Sequence, residues 1–376
     1  MITRRDSLKL MGLSAATAAL PRFASADAPT FPKGAIIRTV LKDYAPEELA
    51  GGATLFHEHM SFPADFMPRW NNYSRETRIQ SGELSPNAPP AGAGRANANP
   101  PATQPEGATF FMRDVDLMSN EMSAAKSEGI ACIVDGGHPD MGRDINFLKQ
   151  ISQKSGLPIV AGAGFYTQPF YPKELDTMSE EQIYQSIMKQ VDTDPVGVFG
   201  EIGSWDYITA TERKVFRAIG KAQLATNMGI FTHTGIPGKS ALEQLDILMD
   251  AGVKPDRIVI GHLGNLVDPK VAIQREICRR GAFIGFDRQG GPGDQQQVPM
   301  VMALLEAGYE KNLMFSADLS GFAQTKAGKG PGYAKTLTVF VPKVKAAGAT
   351  DEQLHTIMVD NPRRFLAFVP KKPRKG

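Results

Sequence analysis

The sequence predicts an α/β chain folded as a (β/α)8 TIM barrel, and three observations carry that expectation. Eight short apolar runs recur along the chain: ATLFHEH (53–59), IACIVDGG (130–137), LPIVAGAGF (157–165), VGVFGEIG (196–203), MGIFTHTG (228–235), RIVIGHLG (257–264), AFIGFD (282–287) and NLMFSADL (312–319). None alternates strictly between apolar and polar, which suits strands buried on both faces of a parallel sheet. From the second run onward the starts fall about 25–40 residues apart, room for one strand and one returning helix each.

The intervening segments carry helix signals. Thr209-Ala210-Thr211-Glu212 has the form of a capping box, with Thr209 as N-cap and Glu212 reaching back. Val215, Ile219 and Ala222 follow at helical spacing, and Gly229 is expected to stop that helix. MDAGVKPDRIVI reads as helix end, glycine, proline turn and strand. The rhythm breaks between the first and second runs. An insertion at about 61–110, including SPNAPPAGAGRANANPPATQPEGA at 85–108, is rich in Pro, Ala, Asn and Gly and too poor in large apolar groups to pack a core. It follows a strand C-terminus, so it is expected at the barrel mouth, either as a mobile insertion or as a lid. GGPGDQQQ (290–297) lacks the helix N-terminus of a P-loop and reads as a flexible substrate loop.

A length of 376 residues, 42% apolar and 22% charged, fits one large barrel domain at 27–376. Residues 1–26 read as an export signal: a twin arginine (Arg4, Arg5), a short alanine-rich apolar stretch and an A-x-A site at Ala24-Ser25-Ala26. RRDSLK resembles a twin-arginine (Tat) signal, with Ser7 where Phe often stands. The expected partner at this stage is the Tat export machinery, and the expected destination is the periplasm or the exterior. The formal charge is +2, and the leader's +3 leaves the remainder at −1, which argues against nucleic acid. The two cysteines, Cys132 and Cys278, have no zinc-finger spacing and form no disulfide framework. The KKPRKG tail reads as a solvated end.

Chemistry concentrates where the runs end. The first ends in His57 and His59, the fourth in Glu201, the fifth in His233, the sixth in His262 and the eighth in Asp318. Strand C-termini of a TIM barrel converge on one face, so four imidazoles and two carboxylates should meet there. Residues i and i+2 of a strand point the same way, so His57 and His59 can share one ion. This donor set suits zinc, manganese, cobalt or iron. Of the remaining histidines, His138 follows the second run close to the expected site, and His355 falls on a late helix.

Several landmarks in order extend the pattern over nearly the whole chain: GATLFHEH, IVDGGHPDMGRD, VAGAGFY, FGEIGSWDYITATE, FTHTG, IGHLGN, FIGFDRQG, FSADLSG and DNPRRFLAF. With these the chain resembles the phosphotriesterase family of the amidohydrolase superfamily, which includes phosphotriesterase-like lactonases. The resemblance implies two divalent transition-metal ions per chain, zinc first. His57, His59 and Asp318 would hold the more buried ion, and His233 and His262 the more exposed one. Well-known members bridge the ions with a carboxylated lysine; here Glu201 stands in its place, an anionic carboxylate that can span two cations. The pair would share a hydroxide that attacks the substrate. Asp318 would be both ligand and proton acceptor. Tyr166 and Arg288 resemble substrate-orienting residues of lactonase-like members, Asp287 is placed to pair with Arg288, and Trp205 packs on the rim. Relatives are often homodimers.

The expected function is therefore a metal-dependent hydrolase of a small lactone or carboxylic ester, with phosphotriester or phosphodiester hydrolysis as the nearest alternative. A mononuclear deaminase is a further class, but it needs an acid just after the fifth run, and none comes before Glu243. An exported non-catalytic binding protein is the non-enzymatic alternative. The filled donor positions speak against it.

Overall fold

The computed structural model describes residues 28–80, 82, 84–87, 103–235, 238–268 and 270–371. The expected export signal, most of the Pro/Ala-rich stretch and all but the first residue of the KKPRKG tail lie outside the described residues. No helix among the described residues is long and apolar enough to cross a membrane.

A short antiparallel ladder, β1 (Ile37–Arg38) with β2 (Asp43–Tyr44), precedes the barrel. The eight predicted runs then form eight parallel strands in sequence order: β3 (Ala53–Glu58), β4 (Ile130–Asp135), β5 (Ile159–Ala163), β6 (Val196–Ser204), β7 (Gly229–Thr234), β8 (Ile258–Ile260), β9 (Phe283–Phe286) and β10 (Leu313–Phe315). The connecting helices include α1 (Phe66–Gln80), α2 (Val115–Ser127), α3 (Ile145–Ser155), α4 (Glu180–Thr193), α5 (Ala210–Thr226), α6 (Ala241–Asp250), α7 (Ala272–Arg279) and α8 (Asp294–Glu306). This is a TIM barrel.

Apolar side chains form two layers. Phe56, Val134, Val160, Val198, Phe231, Val259 and Met314 fill the barrel interior, with Phe365 from the C-terminal helix Asn361–Leu366 packed among them. The other cluster lies between the sheet and its helices. The filled interior confines the polar site to the mouth.

The capping box on α5 is present, with Thr209 accepting from Glu212 N and Glu212 accepting from Thr209 N. The helix stops at Asn227 rather than Gly229: Asn227 takes a left-handed φ of 68°. Asparagine tolerates that conformation, and this frees Gly229 to open β7 directly against the Phe365 ring. The first half of the expected insertion is also corrected. Residues 66–80 form α1, because Phe66, Trp70 and Tyr73 fall at helical spacing and pack on the core. GGPGDQQQ is not all loop either. Helix α8 starts at Asp294, whose carboxylate accepts from Gly290 N and Gly291 N.

Between β10 and β3 the barrel is joined by the buried Glu58 carboxylate and by Ser316 Oγ, which accepts from His57 N at 3.1 Å and lies 2.7 Å from His57 O. Glu58 accepts from Ser316 Oγ at 2.7 Å, Ala317 N at 2.7 Å and Leu319 N at 2.8 Å. Asp318 N also donates to His57 O at 3.2 Å. Hydrogen bonds to a charged acceptor are worth about 1.5–3 kcal/mol each. Glu58→Gln should therefore lower the unfolding free energy by about 2 kcal/mol or more, read as a lower urea midpoint at unchanged slope.

Candidate metal centre

The six residues expected to converge do so. His57, His59, Glu201, His233 and His262 are buried, and the Asp318 side chain is 11% exposed. Glu201 sits in the middle. Its Oε1 lies 3.2 Å from His59 Nε2; its Oε2 lies 3.2 Å from His57 Nε2, 2.9 Å from His233 Nδ1 and 3.5 Å from His262 Nε2. Asp318 Oδ1 is 3.1 Å from His59 Nε2 and 3.9 Å from His57 Nε2. Two overlapping triads, His57/His59/Asp318 and His57/Glu201/His262, have ligand atoms within 4.8 Å of one another.

Irregular backbone aims these groups. The β3–β4 register shifts between Leu55 and Glu58, and the β6–β7 register shifts between Phe199 and Ile202. A shifted register re-aims side chains next to it, and consecutive Phe56 and His57 both pack on Phe231. His262 and Asp318 lie just beyond β8 and β10 with φ of 60° and 48°, and Arg288 follows β9 with φ of 62°.

Around the cluster, polar partners fix orientation. Asp287 accepts from two of the imidazoles, His57 Nδ1 at 3.1 Å and His262 Nδ1 at 2.6 Å. That turns both Nε2 atoms toward the site. The sequence reading paired Asp287 with Arg288. Instead Arg288 Nε donates to Asp318 Oδ2 at 2.9 Å, because Asp287 points back beneath the histidines. His138 Nε2 is 2.9 Å from Glu201 O, so it supports the backbone of β6. His355 is remote and lies 3.7 Å from Asp360. Tyr166 OH lies 3.0 Å from His233 Nδ1 and accepts from Trp70 Nε1 at 2.9 Å. Trp205 is buried and stacks on the His233 ring at 6.4 Å.

Burial opposes charge throughout; opposite charges overcome it at Glu201, Asp318 and His59 but not at His233. The His57 and His233 imidazoles hold Glu201 well below the usual carboxylate range against its burial. Asp318 is held low in the same way, against burial, by His59, His57 and Arg288. Burial pulls His59 down, but its bonds to Asp318 and Glu201 lift it to about 9. His233 falls to about 4, through burial and then the neighbouring His262. Burial, followed by the fields of Glu201 and Asp318, pushes Tyr166 well above the usual phenol range, so it is neutral. A cluster that draws protons this strongly also draws metal cations. The donor set fits such ions on a second count. His57 Nε2, which faces Glu201 at 3.2 Å, is buried without an aligned hydrogen bond, and orphaned buried polar atoms are rare in folded proteins.

The cluster floors a cavity of about 470 Å³. Its lining combines Phe62, Phe66, Met67 and Trp70 with Arg288, Gln289, Ser320, Gln324 and Lys335, and the Arg288 guanidinium lies 5.5 Å from the Trp70 ring centre. The sequence reading missed Trp70, Gln289 and Lys335. Trp70 carried one usable signal, its i, i+4 spacing from Phe66, which the low-complexity neighbourhood obscured.

A barrel with buried imidazoles and carboxylates at its mouth is an arrangement that metal-dependent hydrolases use. A profile of the phosphotriesterase family matches residues 37–366, and the chain belongs to that family. It is similar to the N-acetyltaurine hydrolase of Danio rerio, 27% identical over 356 residues that cover 88% of this chain and 98% of that one. Among solved structures it is similar to a resiniferatoxin-binding protein from Rhodobacter sphaeroides, with 25% identity and TM-score 0.72 over 89% of this chain and 95% of the other. It is also similar to a protein engineered for organophosphate hydrolysis from a weak promiscuous lactonase template, with 26% identity and TM-score 0.67 over 88% of this chain and 99% of that one.

Asp287→Asn removes one charge that orients two imidazoles. It should weaken zinc affinity about 10–100-fold, measured by chelator competition, and leave the zinc-saturated fold intact by circular dichroism.

Proposed function

We propose that this chain is a binuclear metal-dependent hydrolase of small carboxylic compounds, and that N-acyl amides are its first substrate class. The observation that carries the reading is Glu201, a single carboxylate with oxygens 2.9–3.5 Å from four imidazoles at the floor of an open cavity. In this reading His57, His59 and Asp318 would hold one ion and His233 and His262 the other, with Glu201 as the carboxylate common to both. Zinc is the first candidate, with manganese, cobalt and iron next. Such ions supply hydroxide near neutral pH and polarise a substrate oxygen. The amide preference draws on similarity to N-acetyltaurine hydrolases, which are named for cleaving an amide.

The chain's own groups divide the remaining tasks. Asp318 accepts the proton of the attacking water and returns it to the departing nitrogen. Arg288 holds that carboxylate in place and in its charged form. Tyr166 receives the Trp70 N–H on its oxygen and keeps its own proton to give. Its hydroxyl lies 3.0 Å from His233 Nδ1 and 3.4 Å from His233 Nε2. With His233 serving as a metal ligand, that proton would be free for the substrate carbonyl oxygen, where negative charge develops. The aromatic wall of Phe62, Phe66, Met67 and Trp70 receives the acyl group and excludes water.

Lactone hydrolysis is the second reading, favoured by Tyr166 and Arg288 at the cluster and by the likeness to the lactonase template. The deaminase arrangement has no support, because Glu243 sits on α6 and pairs with Arg213.

The test is a panel of N-acetyl amino acids, N-acetyltaurine, γ-lactones and a phosphotriester, assayed with zinc- and manganese-reconstituted protein. The expected result is highest kcat/KM on an N-acyl amide, with Tyr166→Phe lowering kcat about a hundredfold. Turnover of the phosphotriester alone would contradict the proposal.

A further inference from the structure

The cavity lining is chemically mixed, and its polar part contains two buried groups with no partner. Lys335 is 4% exposed and lines the cavity. Its stem lies flush on Gly290: a Cβ there would come within 3.0 Å of Lys335 Cγ and Cδ. Among the described residues its ammonium makes no hydrogen bond and has no carboxylate within 4.0 Å. The acids around it are engaged elsewhere. Glu58 takes three donors from the β10 end, Asp318 faces Arg288 and His59, and Asp294 pairs with Lys343 at 2.5 Å while capping Gly290 N and Gly291 N. Gln289, in the same lining, has 0% exposure, and both of its amide atoms lack a hydrogen-bond partner.

A buried amide left unpaired costs free energy, and a lysine enclosed to 4% exposure leaves its ammonium little water to replace a missing anion. An anionic group in the cavity would take the ammonium charge, and Gln289 would meet it once its buried amide turned toward the cavity. We propose that Lys335 and Gln289 form a subsite for an oxyanion, a carboxylate or sulfonate, carried on the leaving-group side of the substrate. The acyl part lies against the aromatic wall, the scissile carbonyl over Glu201 and Asp318, and the anion against Lys335. This placement rests on the hydrolase reading only for where the scissile bond lies; the anion subsite itself does not need it. The substrate class that follows is an N-acylated amino acid or aminosulfonate with a short spacer, not a neutral amide or an uncharged lactone.

The experiment is calorimetric binding of butyrate, propane-1-sulfonate and neutral butyramide to the metal-reconstituted protein, wild type and Lys335→Met. Each anion type is tested separately, and tight binding by either supports the subsite. The expected result is at least about thirtyfold tighter binding of one anion than of butyramide, with that preference lost in Lys335→Met and restored in Lys335→Arg. Gln289→Leu should weaken the anion about tenfold, and it carries the test should Lys335→Met fail to fold. Hydrolysis of N-acetyl-β-alanine and N-acetyltaurine against N-acetylethanolamine should show the same preference, expressed in KM. Equal binding of butyramide, or an anion preference that survives both Lys335→Met and Gln289→Leu, would overturn the proposal, because the anion would then be binding elsewhere. Anion binding that depends on Lys335 without hydrolysis of any acyl substrate would keep the subsite and reject the hydrolase reading.

Discussion

The carboxylate of Glu201 is the constraint on which the rest of the mouth depends. Burying one anion among imidazole nitrogens is costly unless positive charge balances it. The neighbouring groups hold the imidazoles and the second carboxylate in place around it. His57 and His262 are locked from behind by Asp287, His138 supports the Glu201 backbone, and Arg288 restrains Asp318. Protons provide the balance in one state of the protein; divalent cations would provide it in another, with geometry fixed by the same partners.

The site is assembled where the barrel is least regular. Among the described residues, six non-glycine positions have positive φ, and His262, Arg288 and Asp318 are three of them. Such conformations cost free energy and persist only where surrounding contacts over-determine them. Here the contacts are visible: His262 N and Nδ1 both meet Asp287, and the Asp318 turn is bracketed by Ala317 N and Leu319 N on Glu58. Glu58 thus closes the barrel and sets the reach of Asp318 with the same carboxylate.

Much of this was legible in the sequence, and the reasons differ by element. The strands could be read because parallel strands buried on both faces leave uninterrupted apolar runs, and the polar residue ending each run marks the mouth. His57, His59, Glu201, His233, His262 and Asp318 were found that way. The strand rule that paired His57 with His59 gave a correct neighbour for an incomplete reason, since a register shift intervenes. Helix α1 was hidden because its polar residues merge with the low-complexity stretch that follows. The α8 start was missed because its N-terminal glycines look like a free loop until Asp294 is seen to cap them. Gln289 and Lys335 carried no local signal, and Asp287, which ends the seventh run, showed its place but not its partners: those roles come from what lies across the barrel, and no spacing along the chain encodes that.

The account stands or falls on whether Glu201 spans two ions. The most direct measurement is metal content by native mass spectrometry on zinc-reconstituted wild type and on Glu201→Gln, with folding checked by circular dichroism. Two ions per wild-type chain, falling to one or none in the folded variant, is the predicted result. Two ions retained by Glu201→Gln, or a single ion in the wild type, would contradict the bridging role and with it the arrangement proposed for the mouth.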